Sequence, residues 1–336
     1  MNQAAPPADA MGGATQPMAS VVIVSFNTRE VLRACLEHLL RRDGARSVQV
    51  IVVDNASRDG SADMVAADFP QCELVRSHSN LGFAAANNIG FKQARGRYLV
   101  LLNPDAFLTP GALPTAIRHM DRSPRAGLAG GLLKDLQGQL QPSGRLFPSL
   151  LNELLMLSGL AARFPRSAFF GRFDRTWADP LQPARVDWVP GAFTIIRRSA
   201  MERIGAFDER FFLYYEEVDL CRRMVAAGYE IWYWPDIVIA HIGGESSKTL
   251  ADMDFSNAGS QLTLWRLRSG LLYYRKHHGR LVAWMVSRME LGWHRLRAWK
   301  NGADEQKRAT SENTMRVIAQ AWQDTRGGAE SPLRPW

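Results

Sequence analysis

Short apolar runs alternate with segments of helical periodicity along the first hundred residues of the chain. Residues 21–26 form a run rich in β-branched side chains, and residues 29–41 then repeat apolar positions at helical spacing. The alternation continues with strands predicted at residues 48–53, 72–76 and 98–102 and helices at residues 64–69 and 84–94. Strands that alternate with helices indicate an α/β fold in which helices cover both faces of a mostly parallel sheet.

Polar side chains cluster where the predicted strands end. In open α/β sheets, ligands bind beyond the carboxyl ends of the strands, so these clusters are candidate ligand contacts. They are Ser25 with Asn27, Asp54 with Asn55, and Asn103 with Asp105. Asp54 alone has a second interpretation, because an aspartate beside turn-forming residues also caps helices.

The second half of the chain has a weaker pattern. Residues 122–190 are rich in Pro, Gly and Arg and show no clear period, which predicts loops and short helices. Strands are predicted at residues 191–197, 229–234 and 237–240, and a short helix begins at Ser199. Residues 262–299 then combine aromatic, aliphatic and basic side chains at helical spacing.

Composition indicates a folded chain without a disulfide framework. Hydrophobic residues make up 46% of the 336 residues, which is enough for a sizeable core. The three cysteines form no CxxC pair, so a cysteine-based zinc site is excluded and a reducing compartment is expected. No apolar run approaches the roughly 18 residues that cross a bilayer. Residues 1–19 lack the features of a signal peptide and are predicted to be a flexible leader.

The positive charge of the chain is concentrated in one C-terminal segment. Residues 262–300 contain nine Arg or Lys residues and one glutamate, which accounts for the whole net charge of +8. A nucleic-acid-binding surface spread over the chain is therefore not expected. Four tryptophans interleave with the basic residues, as in an interfacial helix on anionic lipid. A helix that packs on the catalytic domain and exposes a basic face is the alternative.

Two motifs at the predicted sheet edge suit a nucleotide and its counter-ion. Residues 80–90 form a glycine-containing turn that leads into a helix of small residues, where backbone N–H groups can face an anion. The sequence has neither a P-loop nor G-x-G-x-x-G, and close helix–sheet packing is the alternative. Asn103-Pro104-Asp105 ends an apolar strand, and a carboxylate there suits Mg²⁺ or Mn²⁺. A simple turn aspartate remains open.

Crowded carboxylates mark a candidate catalytic site. Glu216, Glu217 and Asp219 lie within four residues and follow two tyrosines. Acids that repel one another in a partly apolar site have raised pKa values, which a general base needs. A helix start with solvent-facing acids is the alternative. His241 follows an apolar run and is a core or turn residue unless the fold supplies a metal partner.

Six motifs in the same order resemble a known family. They are VVIVSFN, DNASRDGS, NLGFAAANNIG, LLNPDA, the stretch from PGAFTIIRR to CRRMVAAGY, and WPDIVIAHIGG. Together they look like the family 2 inverting glycosyltransferases of GT-A fold, a Rossmann-like architecture, and particularly the bacterial rhamnosyltransferase-like branch. The resemblance covers roughly residues 20–276. It implies a catalytic domain at residues 20–261, divided near residue 110 into nucleotide and acceptor halves, followed by a basic helical region at residues 262–300 and a tail at residues 301–336.

The resemblance implies a role for each matching residue. The nucleotide-binding positions would be Ser25, Asn27, Asp54, Asn55, Gly82, Phe83, Asn87, Asn103 and Asp105. Asn103-Pro104-Asp105 replaces the D-x-D element of the family, so Asp105 and His241 would hold the divalent metal, Mg²⁺ or Mn²⁺. The uncharged Asn103 departs from a full D-x-D, which implies weaker metal binding.

The catalytic residues follow from the same resemblance. Glu217 would be the general base beside Glu216, although the family more often has an aspartate there. Asp219 and Arg222 would orient this acid pair. Two arginines are expected to contact the acceptor, namely Arg222 and Arg145, which lies in the irregular stretch at residues 137–189.

The resemblance also implies partners and a location. The donor would be a nucleoside-diphosphate sugar, with L-rhamnose as one candidate sugar, and the acceptor a glycan or lipid-linked molecule. The expected location is the cytoplasm, with peripheral attachment to the inner face of the membrane and a role in cell-envelope polysaccharide synthesis.

Two alternative functions stay open. One is a sugar nucleotidyltransferase, which should have a Gly-rich basic loop near the first strand. The other is a non-catalytic basic protein that binds membrane or nucleic acid.

Overall fold

The architecture is a mixed α/β sheet with helices on both faces. The computed structural model describes residues 17–42, 48–243 and 258–332, and within these ranges ten strands form one sheet in the order β3-β2-β1-β4-β9-β6-β10-β5, with β7 beside β6 and β8 beside β10. The strands are β1 (Ala19–Ser25), β2 (Val48–Asp54), β3 (Glu73–Arg76), β4 (Tyr98–Leu102), β5 (Ala106–Leu108), β6 (Ala126–Lys134), β7 (Leu140–Gln141), β8 (Ala184–Val186), β9 (Phe193–Arg197) and β10 (Glu230–His241). The helices are α1 (Arg29–Arg42), α2 (Ser61–Asp68), α3 (Phe83–Gln93), α4 (Ala112–Arg122), α5 (Leu150–Leu157), α6 (Leu160–Arg163), α7 (Arg198–Ile204), α8 (Glu216–Ala226), α9 (Ala258–Lys300) and α10 (Glu305–Asp324).

The N-terminal half of the sheet is parallel, as the alternating pattern predicts. Strands β3, β2, β1 and β4 are neighbours in register, with Ser25 opposite Asp54 at the ends of β1 and β2. Because parallel strands share one carboxyl edge, the polar clusters after β1, β2 and β4 lie along the same edge. The four predicted strands and the helices between them are confirmed within a few residues.

The C-terminal half of the sheet mixes parallel and antiparallel pairs. Strand β9 is antiparallel to β4 and β6, whereas β6 and β10 are parallel. Two strands are predicted at residues 229–240, but one strand, β10, is present, and its register shifts between Trp234 and Val238. Pro235 lies inside this shift, and proline has no backbone N–H to donate to a neighbouring strand.

Strand β6 lies in the region that the sequence predicts to be loops. Its nine residues include three glycines and two alanines, so it lacks the β-branched signal of a strand. A Cβ on Gly131 would lie 2.2 Å from the Ile237 carbonyl O, and one on Gly130 would lie 2.8 Å from the Val189 Cβ. The small residues therefore admit close neighbours on both faces of a central strand.

Hydrophobic side chains fill both faces of the sheet. Helices α1, α2 and α4 cover one face, and α3, α7, α8 and the first part of α9 cover the other. Both clusters contain alternate residues of the same strands, as in a sheet covered on two sides.

The C-terminal region contains two long helical elements. Helix α9 is interrupted at Gly279, whose φ of 84° and ψ of 173° are not helical, and this divides it at residues 258–278 and 280–300. Helix α10 packs on α9 through Val317, Ile318 and Ala321. The segment predicted as a tail at residues 301–336 thus holds a 20-residue helix.

The predicted interfacial helix needs a correction in its first part. Trp265, Tyr273 and Tyr274 are buried, and Trp265 stacks on Phe212 with ring centroids 4.4 Å apart. Residues 262–278 therefore pack on the catalytic domain and cannot lie on a bilayer. Among the described helices, none is long and apolar enough to cross a membrane. Residues 1–16 of the predicted leader lie outside the described residues.

Candidate active site

Polar groups cluster at the ends of β1 and β2. Asp54 is buried, and its Oδ2 accepts a hydrogen bond from the Ser57 amide at 3.1 Å. Its Oδ1 is also buried, and no residue that the structure describes donates to it. Ser25 shares a hydrogen bond with the Thr28 hydroxyl at 2.9 Å, and Asn27 Oδ1 accepts from the Arg58 amide at 2.7 Å. The loops after β1 and β2 are thereby fixed, and one carboxylate oxygen is left for a ligand donor.

Asn55 shapes the turn that leads into α3. Its Nδ2 donates to Asn80 Oδ1 at 2.8 Å, and its Oδ1 accepts from the Leu81 amide at 2.9 Å. Asn55 therefore supports the turn through both ends of its amide. The direct nucleoside contact expected for Asn55 stays a prediction, and the structure adds this positioning role.

Gly82 and Phe83 place the N-terminus of α3 against the segment before α8. Gly82 has a φ of 80° and a ψ of 174°, and a Cβ there would lie 2.5 Å from the Phe212 carbonyl O. The Phe83 amide donates to that carbonyl at 2.7 Å. Asn87 donates to the Phe83 carbonyl at 2.9 Å, while its buried Oδ1 lacks a partner within the described part of the chain. Asn87 Oδ1, within α3, is therefore a second buried acceptor.

The structure brings Asp105 and His241 together. Strand β5 is antiparallel to β10 with Ala106 opposite His241, and the Ile242 amide donates to the Asp105 carbonyl at 3.1 Å. The two side chains approach with 3.6 Å between His241 Nε2 and Asp105 Oδ1. Although 136 residues separate them in the chain, sheet pairing makes them neighbours.

Burial sets the ionisation of the histidine. Burial lowers the pKa of His241 below its ordinary value, and the charge of Asp105 only partly opposes this. The neutral imidazole is therefore favoured near pH 7, as a metal ligand requires.

The residues at this edge fit a divalent cation that also binds substrate. Across residues 17–42, 48–243 and 258–332, no group of three or more His, Cys, Asp and Glu side chains could hold a metal by itself. The ligands on offer are an incomplete set, namely Asp105, His241 and the amide oxygen of Asn103. This amide oxygen is buried and has no partner in the same ranges. Mg²⁺ and Mn²⁺ commonly take one or two carboxylates and complete their shell with substrate phosphates and water.

Glu216 and Glu217 begin α8 in a desolvated setting. Burial raises the pKa of Glu216 well above its ordinary value, and the charge of Glu217 adds to the rise. Burial also raises the pKa of Glu217, while backbone hydrogen bonds and the charge of Arg145 act in the opposite direction. The Oε2 atoms of both residues are buried and accept no hydrogen bond from the described chain.

The turn before α8 is strained. Tyr214 and Tyr215 both have a φ of 68°, in the left-handed region that non-glycine residues rarely adopt. Such strain persists where surrounding contacts fix the backbone, and it is typical of functional sites. This conformation could not be predicted from the sequence, because tyrosine is not a residue that favours it.

Asp219 has three partners, on two helices. It is fully buried, and its carboxylate contacts Arg223 Nε at 2.8 Å, Lys276 Nζ at 2.6 Å and His277 Nε2 at 2.7 Å. Asp219 thereby joins α8 to α9. The role predicted for Asp219 and Arg222, to orient the acid pair, stays a prediction.

The two candidate acceptor residues lie beside aromatic rings. Arg145 Nε lies 3.0 Å from Asp174 Oδ1, and its guanidinium lies 5.0 Å from the centroid of the Trp188 ring. The guanidinium of Arg222 lies 5.1 Å from the centroid of the Phe147 ring. Arg145 influences the charge of Glu217, so it lies on the side of the cleft where the acids are.

One turn connects the two halves of the cleft. The Asn103 amide donates to the Ala192 carbonyl at 3.0 Å, so the loop that carries Asn103 borders residues 189–193. On the other side, Cys221 lies one helical turn after Glu217 and is close enough to interact with both Glu217 and the Val189 backbone. The predicted donor-side and base-side residues thus border a common turn.

Sequence reasoning missed four residues that support this site. Gln141 binds His241 through both ends of its amide, and Asn80 accepts from Asn55 and from the Gly82 amide. Lys276 and His277 fix Asp219 from α9. Asn80 lies in the NLGF motif and could have been found there, whereas the others depend on contacts between distant segments.

Comparison with known proteins gives one family over most of the catalytic region. Residues 20–205 match Glycosyl transferase family 2. An N-acetylglucosaminyl-diphospho-decaprenol L-rhamnosyltransferase of Mycobacterium tuberculosis is 31% identical over 207 residues, which are 58% of this chain and 67% of that protein. Rhamnosyltransferase WbbL of Escherichia coli is 26% identical over 267 residues, which are 76% of this chain and 92% of that protein.

A solved structure has the same fold. The mannosyltransferase PcManGT from Pyrobaculum calidifontis, in complex with GDP-Man and Mn²⁺, superposes with a TM-score of 0.52 and 16% identity. The match covers 93% of this chain and 76% of the other. At this identity the likeness concerns the fold alone.

Proposed function

Because this chain belongs to glycosyl transferase family 2 and is a glycosyltransferase of GT-A fold, we propose that it transfers a sugar with inversion from a nucleoside diphosphate to a glycan or lipid-linked acceptor. The observation that supports the proposal is the approach of Asp105 and His241, 3.6 Å apart, beside a turn at residues 189–193 that also borders the helix carrying Glu216 and Glu217. The family assignment does not favour a nucleotidyltransferase or a non-catalytic binding protein.

The donor nucleotide would lie along the carboxyl edge of β1, β2 and β4. Asp54 Oδ1 and Asn87 Oδ1 are buried acceptors, and the described residues supply no donor to either. Leaving such atoms unpaired is unfavourable, whereas N–H or O–H groups of a nucleoside would satisfy them. Ser25 and Asn27 would hold the neighbouring loop in place.

A divalent cation would be held by Asp105, His241 and the amide oxygen of Asn103. When bound, Mg²⁺ or Mn²⁺ neutralises the negative charge that develops on a diphosphate leaving group. The cation in the PcManGT structure supports this assignment by analogy of fold. The neutral Asn103 leaves a larger share of the binding to the substrate phosphates.

Glu217 would act as the general base. The acceptor oxygen forms a bond to the anomeric carbon, and the bond from that carbon to the diphosphate oxygen breaks, with the electron pair leaving on the nucleoside diphosphate. The proton of the acceptor hydroxyl passes to the Glu217 carboxylate. Burial raises the pKa of Glu217 and so its basicity, while the charge of Arg145 acts in the opposite direction. Arg145 and Arg222 would contact the acceptor.

The two relatives suggest the substrates. Both carry names of rhamnosyltransferases, and the mycobacterial protein is named for an N-acetylglucosaminyl-diphospho-decaprenol acceptor. We therefore propose L-rhamnose as the transferred sugar and a sugar linked to a lipid diphosphate as the acceptor. This would place the enzyme in the synthesis of cell-envelope polysaccharide in the cytoplasm.

Residues 280–300 would contact the inner face of the membrane. Apolar side chains are exposed along this half of α9, namely Leu281, Trp284, Met285, Leu296 and Trp299. Their spacing places them on one side of a helix, among five basic residues, Arg280, Arg288, Arg295, Arg297 and Lys300. Exposed tryptophans beside arginines suit an anionic lipid surface.

Flotation with vesicles tests the membrane contact. Wild-type protein should float with phosphatidylglycerol vesicles and less with neutral ones, and Trp284→Ser with Trp299→Ser should reduce flotation at least fivefold. Trp177→Ser removes another exposed tryptophan outside α9 and serves as the control. Equal flotation of all variants would refute the contact.

Turnover of the Glu217→Gln variant tests the enzymatic proposal. Transfer from a panel of nucleoside-diphosphate sugars, including an L-rhamnose donor, is measured with Mn²⁺ and a prenyl-diphosphate-linked acceptor. Glu217→Gln should lower kcat at least 100-fold, as expected for loss of a general base, and leave donor binding intact in a thermal shift assay. Glu202→Gln, at an exposed position on α7, should retain activity. Near-normal turnover of Glu217→Gln would refute the base, and no nucleoside diphosphate release with any donor would refute the function.

A further inference from the structure

Gln141 holds His241 at two points. Its side-chain amide lies against the histidine, with Oε1 2.9 Å from the ring Nδ1 and Nε2 3.1 Å from the backbone carbonyl O. A carbonyl oxygen only accepts hydrogen bonds, so the amide group that faces it must be the NH₂. The opposite orientation would place two acceptors 3.1 Å apart. The carbonyl of His241 therefore determines the orientation of the Gln141 amide.

This orientation determines the tautomer of the histidine. With its oxygen turned toward the ring, Gln141 accepts a hydrogen bond, and Nδ1 must carry the proton. In a neutral imidazole the other nitrogen, Nε2, then has a lone pair and no proton. That nitrogen is the one that faces Asp105 Oδ1 at 3.6 Å.

An unprotonated nitrogen and a carboxylate oxygen that face each other suit a cation between them. The separation of 3.6 Å is too long for a good hydrogen bond, and both atoms are of kinds that bind divalent cations. Histidines that bind metals commonly donate their other ring N–H to a neighbouring oxygen, which fixes the ring and its tautomer. A side-chain amide oxygen supplies that acceptor here.

Gln141 is itself fixed by the sheet. It ends β7, opposite Leu133 of β6, and its carbonyl accepts a hydrogen bond from the Ser143 hydroxyl at 2.7 Å. The Ser143 hydroxyl also accepts from the Leu133 amide at 3.0 Å. The short hairpin from β6 to β7 thus places this amide beside the end of β10.

We infer that Gln141 is a positioning residue that holds His241 as the Nδ1–H tautomer and so presents Nε2, together with Asp105, to a divalent cation. This inference rests on the proposed function, which assigns the divalent cation to the diphosphate of the donor. It adds a residue of the acceptor half to the support of the donor site.

Nuclear magnetic resonance of ¹⁵N-labelled histidine tests the tautomer directly. The signals of His241 are assigned among the seven histidines by comparison with His241→Asn. The metal-free wild type should show the Nδ1–H pattern. Gln141→Leu should lose it, and Gln141→Glu should restore it because its carboxylate also accepts from Nδ1. A residue with only a structural role would leave the tautomer unchanged in all three proteins.

Titration with Mn²⁺ alone, followed by electron paramagnetic resonance of the free ion, gives the second readout. Gln141→Leu should raise the dissociation constant about 10- to 100-fold, as is usual when the support of a ligating histidine is lost. Gln139→Leu, in the same hairpin and exposed, is the control and should change neither readout.

Two outcomes would overturn the inference. One is an Nε2–H tautomer of His241 in the wild type, and the other is a Gln141→Leu protein whose tautomer and Mn²⁺ affinity match the wild type. Failure of the proposed function would be distinguishable, because it would appear as Mn²⁺ binding and an Nδ1–H tautomer without sugar transfer, and the inference about Gln141 would stand.

Discussion

Replacing Asp219 with asparagine should destabilise the protein more than a similar change at its surface. The carboxylate is fully buried and is contacted by Arg223, Lys276 and the His277 ring at 2.8, 2.6 and 2.7 Å. Removing one member of a buried ion pair typically costs about 3–5 kcal/mol, since the remaining charges lose their compensation. Arg223 also donates to the carbonyls of residues 204–206, and Lys276 also contacts Asp208, so both keep other partners. We therefore expect the lower end of the range, about 3 kcal/mol.

Urea denaturation followed by tryptophan fluorescence measures this cost. With an m-value of about 3 kcal/mol/M, the Asp219→Asn midpoint should lie about 1 M below that of the wild type. Asp63→Asn is the matched control, because Asp63 pairs with Arg76 at 2.9 Å but their side chains are 81% and 52% exposed. Such surface pairs contribute about 0–1 kcal/mol. Equal losses for the two variants would refute the anchoring role of Asp219.

The pH dependence gives an independent check on the same residue. Burial acts to raise the pKa of Asp219, but the hydrogen bond from His277 and the charges of Arg223 and Lys276 outweigh it, and the pKa lies below its ordinary value. Stability from this group is therefore complete above the unfolded pKa of about 3.9 and is lost as the pH falls through the lower folded pKa. The difference between wild type and Asp219→Asn should shrink in that acidic window and stay constant above it.

Two further predictions concern the pH dependence of activity and the turn at Gly82. Because the pKa of Glu217 is raised by burial and lowered by Arg145, kcat/KM should rise through an acid limb above about pH 4.3, and Arg145→Gln should move that limb to higher pH; a limb that stays or moves down would contradict the assignment. Gly82→Ala should lower the melting temperature and weaken donor binding, because its Cβ would lie 2.5 Å from Phe212 in a backbone conformation that costs other residues about 1–3 kcal/mol. Gly159→Ala, at a φ of 73° with no described atom within 4 Å of its Cβ, is the control, and equal losses would show that the contact with Phe212 does not matter.

The parallel half of the sheet is predictable because its signals are local. Each apolar run ends in a polar pair, and shared strand direction brings those pairs to one edge, so Asp54 and Asp105 could be placed before any coordinates. Strand β6 could not be predicted, because its small residues have low strand propensity. They fit the narrow space between Val189 and Ile237, which the sequence does not show.

Contacts between distant segments set the limit for the site. The Gln141–His241 hydrogen bonds join residues 100 apart, and the Asp219–His277 contact joins residues 58 apart. Neither pair has a sequence spacing that signals contact. The same limit explains why the interfacial helix predicted at residues 262–300 was wrong in its first part. The sequence does not show that Trp265 packs on Phe212, so it could not distinguish the buried residues of this segment from the exposed ones.

The first part of α9 supports both sides of the cleft at once. Trp265 stacks on Phe212, whose carbonyl accepts from the Phe83 amide at the donor turn, and Lys276 binds Asp219 on the helix that carries Glu217. Removing residues 262–336 would therefore expose the ring of Phe212 and leave Asp219 without two of its three partners, Lys276 and His277. Such a truncation would lose activity whether or not the chain binds membranes. Substitutions confined to the exposed side of residues 280–300 separate attachment to lipid from support of catalysis, because that side contributes nothing to either contact.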